Sequence, residues 1–266
     1  MSDGRDRALT YSSYLRLDEL LTCQTPLSAG PEHDELLFIV IHQVYELWFK
    51  QLLHELRHLG RRLAAGDADS AMHTTRRVLT ILKTVVAQID VLETMTPLGF
   101  GSFRDRLASA SGFQSAQFRE LEAVLGRRDP SMLTPYAEGS PGYERIARAM
   151  AEPGLFDFLL RFLASRGHPV PAAALERDVH GPLEPDPGVQ ALLISVYRED
   201  PAGAGVCERM VDIDEGIQEW RYRHVKMVER TIGARPGTGG SAGVEYLQTT
   251  LFRPVFPDLW AIRSQL

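Results

Sequence analysis

Cysteine is scarce. The 266 residues hold two, Cys23 and Cys207, far apart and in neither a CxxC nor a CxxCH arrangement. A disulfide scaffold, a zinc knuckle and a covalently attached c-type haem have no support, and two reduced thiols are expected. Positive charge is not in surplus: 29 Lys and Arg stand against 35 Asp and Glu, a formal net charge of −6. Nucleic acid is therefore not expected as a partner, because phosphate binding needs a basic face. Long apolar runs are missing too. The longest, Leu36 to Ile41, falls far short of the roughly 20 residues that span a bilayer. Met1 to Thr10 is polar and charged, without the apolar core of a signal peptide. The expectation is a cytoplasmic protein with no membrane partner. No segment alternates apolar and polar residues as a half-buried strand does.

Helical periodicity is present instead. From about 33 to 63 no Gly or Pro occurs until Gly60, and Phe38, Ile41, Tyr45, Phe49, Leu52, Leu56 and Leu59 recur at spacings of three and four. This is one helix face. The first half is apolar nearly all round, which predicts a buried position. A second helix is expected over about 69–94, with Pro97 just beyond its end. Others fit about 114–126, 142–151, 153–166 and 188–198. The last long helix, about 206–232, carries Ile213, Ile217, Trp220, His224, Met227, Val228 and Thr231 on one stripe. Pro- and Gly-rich stretches at 169–188 and 233–243 read as loops. Neither a repeat nor a long linker divides the chain, so one all-α domain over 1–266 is expected. In such a bundle, cofactor sites come from side chains on facing helices.

Eight histidines must be sorted. His33, His54, His58, His73, His168 and His180 lie among polar residues or in loops and read as solvated. His42 and His224 lie on apolar faces of two different long helices. Each alone reads as a core histidine with its two ring nitrogens satisfied. Together they allow another arrangement, one imidazole on a metal centre and the other acting in the pocket, and haem iron is commonly held by a single proximal His. His54-Glu55-Leu56-Arg57-His58 also fits HExxH, the helical zinc-protease motif. Charged Arg57 inside it, the polar neighbours Lys50, Gln51 and Arg61, and the lack of any further Glu before Glu93 speak against that chemistry. Gly237-Thr-Gly-Gly-Ser-Ala-Gly243 formally fits a dinucleotide fingerprint. It follows a helix rather than a strand, so a pliable loop able to fold over a polar ligand group is the better reading.

Read residue by residue, the sequence stops at a helical protein able to bind a metal or cofactor. Longer strings go further. His33 to Gln43 (HDELLFIVIHQ) and Tyr45 to Lys50 (YELWFK) resemble the signature of tryptophan 2,3-dioxygenases. So do Tyr11 to Asp18 (YSSYLRLD), Leu92 to Arg104 (LETMTPLGFGSFR), Ser111 to Arg119 (SGFQSAQFR), Trp220 to His224 (WRYRH) and Gly237 to Gly243 (GTGGSAG). The blocks stand in the family's order and cover nearly the whole chain.

The resemblance implies an all-helical fold with non-covalent haem b, its iron ferrous for catalysis. It also implies a homotetramer in which the N-terminal segment, about 1–20, helps close a neighbour's active site. The implied substrates are L-tryptophan and O₂, and the implied product is N-formylkynurenine, the first step of tryptophan degradation by the kynurenine route. His224 would be the proximal iron ligand and His42 the distal residue that meets the indole N–H. Phe38, Ile39, Val40, Ile41 and Phe100 would bound the substrate. Arg104 would pair with its carboxylate, a task suited to the planar guanidinium fork, and Thr238 would cover its amino-acid end. Tyr11, Tyr14 and Leu15 would arrive from the adjacent subunit. Phe100 and Phe118 occupy positions where family members carry tyrosine or phenylalanine. Three rivals remain open at this point: a family relative acting on a substituted tryptophan, even as a monooxygenase; a zinc hydrolase; and a haem sensor without turnover.

Overall fold

The computed structural model describes residues 9–30, 32–107, 110, 112–235 and 243–266. Among these residues every regular element is helical and no strand occurs. Two short helices, α1 (Tyr11–Leu15) and α2 (Leu17–Leu20), precede the two that organise the molecule, α3 (His33–Ala64) and α4 (Ala68–Leu92). There follow α5 (Pro97–Phe103), α6 (Ala116–Leu125), α7 (Pro141–Ala151), α8 (Leu155–Ser165), α9 (Ala172–Leu175), α10 (Pro187–Glu199), α11 (Pro201–Ile232), α12 (Val244–Gln248) and α13 (Pro257–Ala261).

The starts of these helices have local causes. Thr96-Pro97, Ser140-Pro141 and Asp186-Pro187 each place a capping side chain before a proline, and in each case the side chain accepts the amide three residues on. Proline fits the first turn because its missing N–H has no partner there anyway. Pro97 therefore does more than lie past the end of a helix: it opens α5, a helix absent from the sequence reading. α11 likewise begins at Pro201, earlier than expected, since Gly203 and Gly205 had masked its first turn.

α3 runs through the middle. It packs against α4, α5, α6 and α8, and α4 in turn packs against α11. Of the expected stripe, Ile41, Tyr45, Phe49, Leu52, Leu56 and Leu59 belong to the main core, and Phe38 is half-buried against it. Gly60 sits in this helix because α8 crosses there; a Cβ would lie 2.8 Å from the Phe158 ring. By length and composition α3 is apolar enough to cross a membrane, the single such helix among the described residues. Its first half, expected from composition to be buried, is so only in part: the helix packs against four neighbours, but Leu36, Val40 and Leu47 are exposed.

Candidate active site

A cavity opens where α3 and α11 face each other, and α4, α5, α6 and α12 complete its walls. About 1600 Å³ of it, counting the part open to solvent, is free of protein atoms. Phe38, His42, Tyr45, Glu46 and Phe49 line it from α3; Trp220, Arg221, His224, Val225, Met227 and Val228 line it from α11. Helical geometry explains both sets, since positions three and four apart share a face.

His42 is fixed in one state. Its Nδ1 lies 2.7 Å from the Phe38 carbonyl oxygen, so Nδ1–H donates and Nε2 is left as an acceptor. The Phe38 ring lies against the imidazole, centroids 4.1 Å apart. Burial lowers the His42 pKa, against the smaller upward pull of the Phe38 carbonyl and the Glu46 carboxylate. His224 is pushed further, down to about 4, first by burial and then by the charges of His42 and Arg119. Both rings are therefore neutral at pH 7, the form that can ligate a metal or accept a hydrogen bond.

Trp220 stacks on His224, with ring centroids 5.0 Å apart and planes 5° from parallel. Phe118, 4.5 Å away, and Phe49, 6.1 Å away, hold Trp220 in turn. An aromatic ladder thus sets the plane of the His224 ring. The Trp220 indole N–H is buried without an acceptor among the described residues. A buried donor of this kind calls for a partner, and an anionic oxygen of a bound group can supply one.

Beside it lies a charged cluster. Glu122, fully buried, accepts from Arg119 (2.7 Å), Arg127 (2.8 Å) and Arg221 (2.9 Å). Burial works to raise the Glu122 carboxyl, but the guanidiniums of Arg127, Arg119 and Arg221 outweigh it and leave the group below the usual carboxylate range. Arg119, Glu122 and Arg221 all line the cavity. The sequence reading held Arg119 and Arg221 inside quoted blocks without giving them a task. Glu122 gave no signal: Arg119 and Arg127 lie three and five residues from it, but nothing in the sequence marks the burial of the carboxylate or the arrival of Arg221 from 99 residues away. Glu46 was also missed; its carboxylate and backbone oxygen both accept from the Gln117 amide at 2.8 Å.

Of the expected site residues, Phe38, His42, Phe100, Arg104 and His224 line this cavity together. Ile39, Val40 and Ile41 do not: Ile41 is in the core, Val40 is exposed and Ile39 is half-buried. Successive helical residues turn by about 100°, so the three positions between Phe38 and His42 point elsewhere. Tyr11, Tyr14 and Leu15 lie outside the cavity and are exposed, the two tyrosines by 77% and 71%. Thr238 lies outside the described residues, as does the glycine loop apart from Gly243.

The HExxH string forms no metal centre among the described residues, where no three His, Cys, Asp or Glu side chains gather as metal ligands. Glu55 is buried and takes Arg77 and Gln51, while His54 is exposed. His58 accepts from Arg62. His168, read from the sequence as solvated, is half-buried with its Nε2 3.0 Å from Asp200. That partner lies 32 residues away, which local sequence context does not register.

A family model described as tryptophan 2,3-dioxygenase matches residues 2–139 and 183–266. The chain belongs to the tryptophan 2,3-dioxygenase family. Curated relatives of that name agree over almost their whole length. The chain is 65% identical to one from Anaeromyxobacter sp. (strain K) over 259 residues, 97% of each chain. It is 58% identical to one from Herpetosiphon aurantiacus, covering 98% of this chain and 99% of the relative. A Caulobacter vibrioides relative is 45% identical, covering 97% and 98%. Family membership makes the chain an oxidoreductase of the dioxygenase class and accounts for the order of all seven sequence blocks.

Proposed function

We propose that this chain cleaves the C2–C3 bond of the indole ring of L-tryptophan with O₂, placing both oxygen atoms in N-formylkynurenine. The observation that carries the reading is the pair of neutral imidazoles, His42 and His224, facing one apolar cavity from two helices.

The residues fit haem b. A haem iron needs one protein nitrogen, and His224 offers a neutral one on a ring held by Trp220. The macrocycle needs an apolar cleft, and Val225, Met227, Val228, Ile89 and Leu92 are among the lining side chains. Its propionates need donors, and the unpartnered Trp220 N–H and the Arg221 guanidinium stand at the cavity wall. When bound, haem supplies O₂ activation at its iron.

The rest of the chemistry falls to the protein. His42 Nε2 accepts the indole N–H and sets the orientation of the ring, acting in substrate alignment more than in proton removal. Phe38 and Phe100 pack on the indole faces, and Arg104 and Thr238 hold the carboxylate and ammonium end. Holding both ends of the substrate fixes C2 and C3 in reacting geometry. An apolar lining excludes water, which strengthens each polar contact inside.

The assembly belongs to the proposal as well. Tyr11, Tyr14 and Leu15 are exposed on helix α1, and Leu36, Val40 and Leu47 form an exposed apolar stripe on α3. Exposed apolar surface of this kind suits an interface, here a homotetramer in which the N-terminal segment of one subunit bounds the pocket of the next. We take residues 1–266 as a single domain and the protein as cytoplasmic, with no membrane or nucleic-acid partner.

The test is turnover of L-tryptophan by reduced, haem-loaded protein under labelled O₂, with the product mass read directly. N-formylkynurenine carrying two labelled atoms is expected. One labelled atom, or no product from tryptophan, would sink the proposal.

A further inference from the structure

Gly112 lies against the imidazole of His42. A Cβ built on it would sit 3.8 Å from His42 Nε2 and 4.0 Å from Cδ2, and, its chain neighbours aside, would meet nothing else within 4 Å among the described residues. The position is pinned, because the Gly112 carbonyl accepts from Ser115 N at 3.1 Å and the Ser115 hydroxyl caps α6 at Phe118 N. Its backbone gives no reason for a glycine: Gly112 is absent from the glycines with positive φ. An alanine would therefore fit both the local conformation and the space, since 3.8 Å is ordinary van der Waals contact. What the missing methyl leaves open is the approach to His42 Nε2, the acceptor nitrogen of a ring whose other nitrogen is committed to Phe38.

We infer that Gly112 is a specificity-determining residue: by lacking a side chain it keeps the His42 Nε2 lone pair open to a ring N–H donor of the substrate. This rests on the reading of the cavity as the tryptophan site. A hydrogen bond to Nε2 requires the donor nitrogen at about 2.9–3.0 Å along the lone pair. A methyl 3.8 Å from that nitrogen takes up space next to it, which hinders a ligand that must reach the nitrogen and is neutral toward one that need not. Gly112 thus acts on discrimination by N–H without touching the reacting carbons.

Two ligands of nearly one shape separate these cases: L-tryptophan, and its benzothiophene counterpart with sulfur in place of N–H. Their binding to haem-loaded wild type, Gly112→Ala, His42→Ala and the double variant is measured by calorimetry. Haem absorbance and circular dichroism report that each protein is folded. Gly112→Ala is expected to weaken tryptophan about tenfold, the worth of one such hydrogen bond, and to leave the benzothiophene ligand within about twofold. In the His42→Ala background the same substitution should have no further effect on tryptophan, because contacting sites couple. Equal weakening of both ligands would show a disturbed loop and overturn the inference, as would no weakening of either, or a full effect without His42. Wild-type protein that fails to bind tryptophan at all overturns the reading of the site and the inference with it. Wild-type binding with an indifferent Gly112→Ala removes the inference alone.

Discussion

α3 and α11 are both 32 residues long, and each delivers one imidazole to the same cavity. They are built differently. α3 buries only hydrophobic side chains between Ile41 and Leu53, its two buried carboxylates, Glu35 and Glu55, lying outside that stretch. The middle of α11 buries Asp214 and Arg221. Asp214 accepts from Val255 N and Phe256 N at 2.8 Å, from the Trp260 indole at 2.9 Å, and from Gln218. Arg221 donates to Glu122 and to the Arg253 carbonyl. Apolar burial asks only for any dry surface of the right shape, whereas a buried charge needs particular partners in particular places. α3 can therefore be recognised as a core helix from its own pattern. α11 becomes one only when the segment after α12 and the end of α6 have come to it.

The widest functional gap between the two helices should appear at their histidines. His224→Ala is expected to lose most of its bound haem and with it all turnover. His42→Ala should keep haem and bind tryptophan about tenfold more weakly. Haem absorbance per protein and tryptophan titration give the two readings, and full activity of His224→Ala would end the assignment of α11 as the ligand-bearing helix.

Stability should separate them next. Asp214→Ala strands four donors and is expected to cost roughly 4 kcal/mol in urea unfolding, as removal of one partner from a buried charged network does. Leu52→Ala, in the apolar middle of α3, should cost roughly 3 kcal/mol by lost transfer energy and the cavity left behind. Should Leu52→Ala prove the more damaging, the contrast drawn between the two helices fails.

The smallest effect lies at the start of α11. The Arg166 guanidinium, at 2.6 Å, and His168 hold the Asp200 carboxyl well below its ordinary value. A depressed carboxyl favours the fold while it is charged. Its contribution is complete above the unfolded-state pKa of about 4 and is lost as pH falls through the lower folded value. Asp200→Asn should accordingly unfold with a shallower pH dependence below about pH 4 than the wild type, measured by thermal melts across pH 2–6.

The missed pieces have physical causes. α5 escaped notice because Pro97 serves equally after one helix and at the first turn of the next. His168 and Glu122 escaped because their partners lie 32 and up to 99 residues away. Ile39, Val40 and Ile41 were grouped with Phe38 and His42 because a matched string does not say which way each residue faces, and the helix turns three of the five away from the cavity.

The sequence by itself determined the seven helices of ten or more residues among the described ones, through spacings of three and four. It determined the core face of α3 by its aliphatic stripe, and the family by seven blocks in order. Helical periodicity is a local property, so it survives in the bare string. Tertiary structure alone decided that His42 and His224 would face one cavity, that Trp220 would hold the His224 ring with its own N–H unpartnered, and that three arginines would share Glu122. His42 and His224, like Arg221 and Glu122, are far apart in the chain, and the energies of such meetings depend on distance and on exclusion of water, which only the packed fold creates.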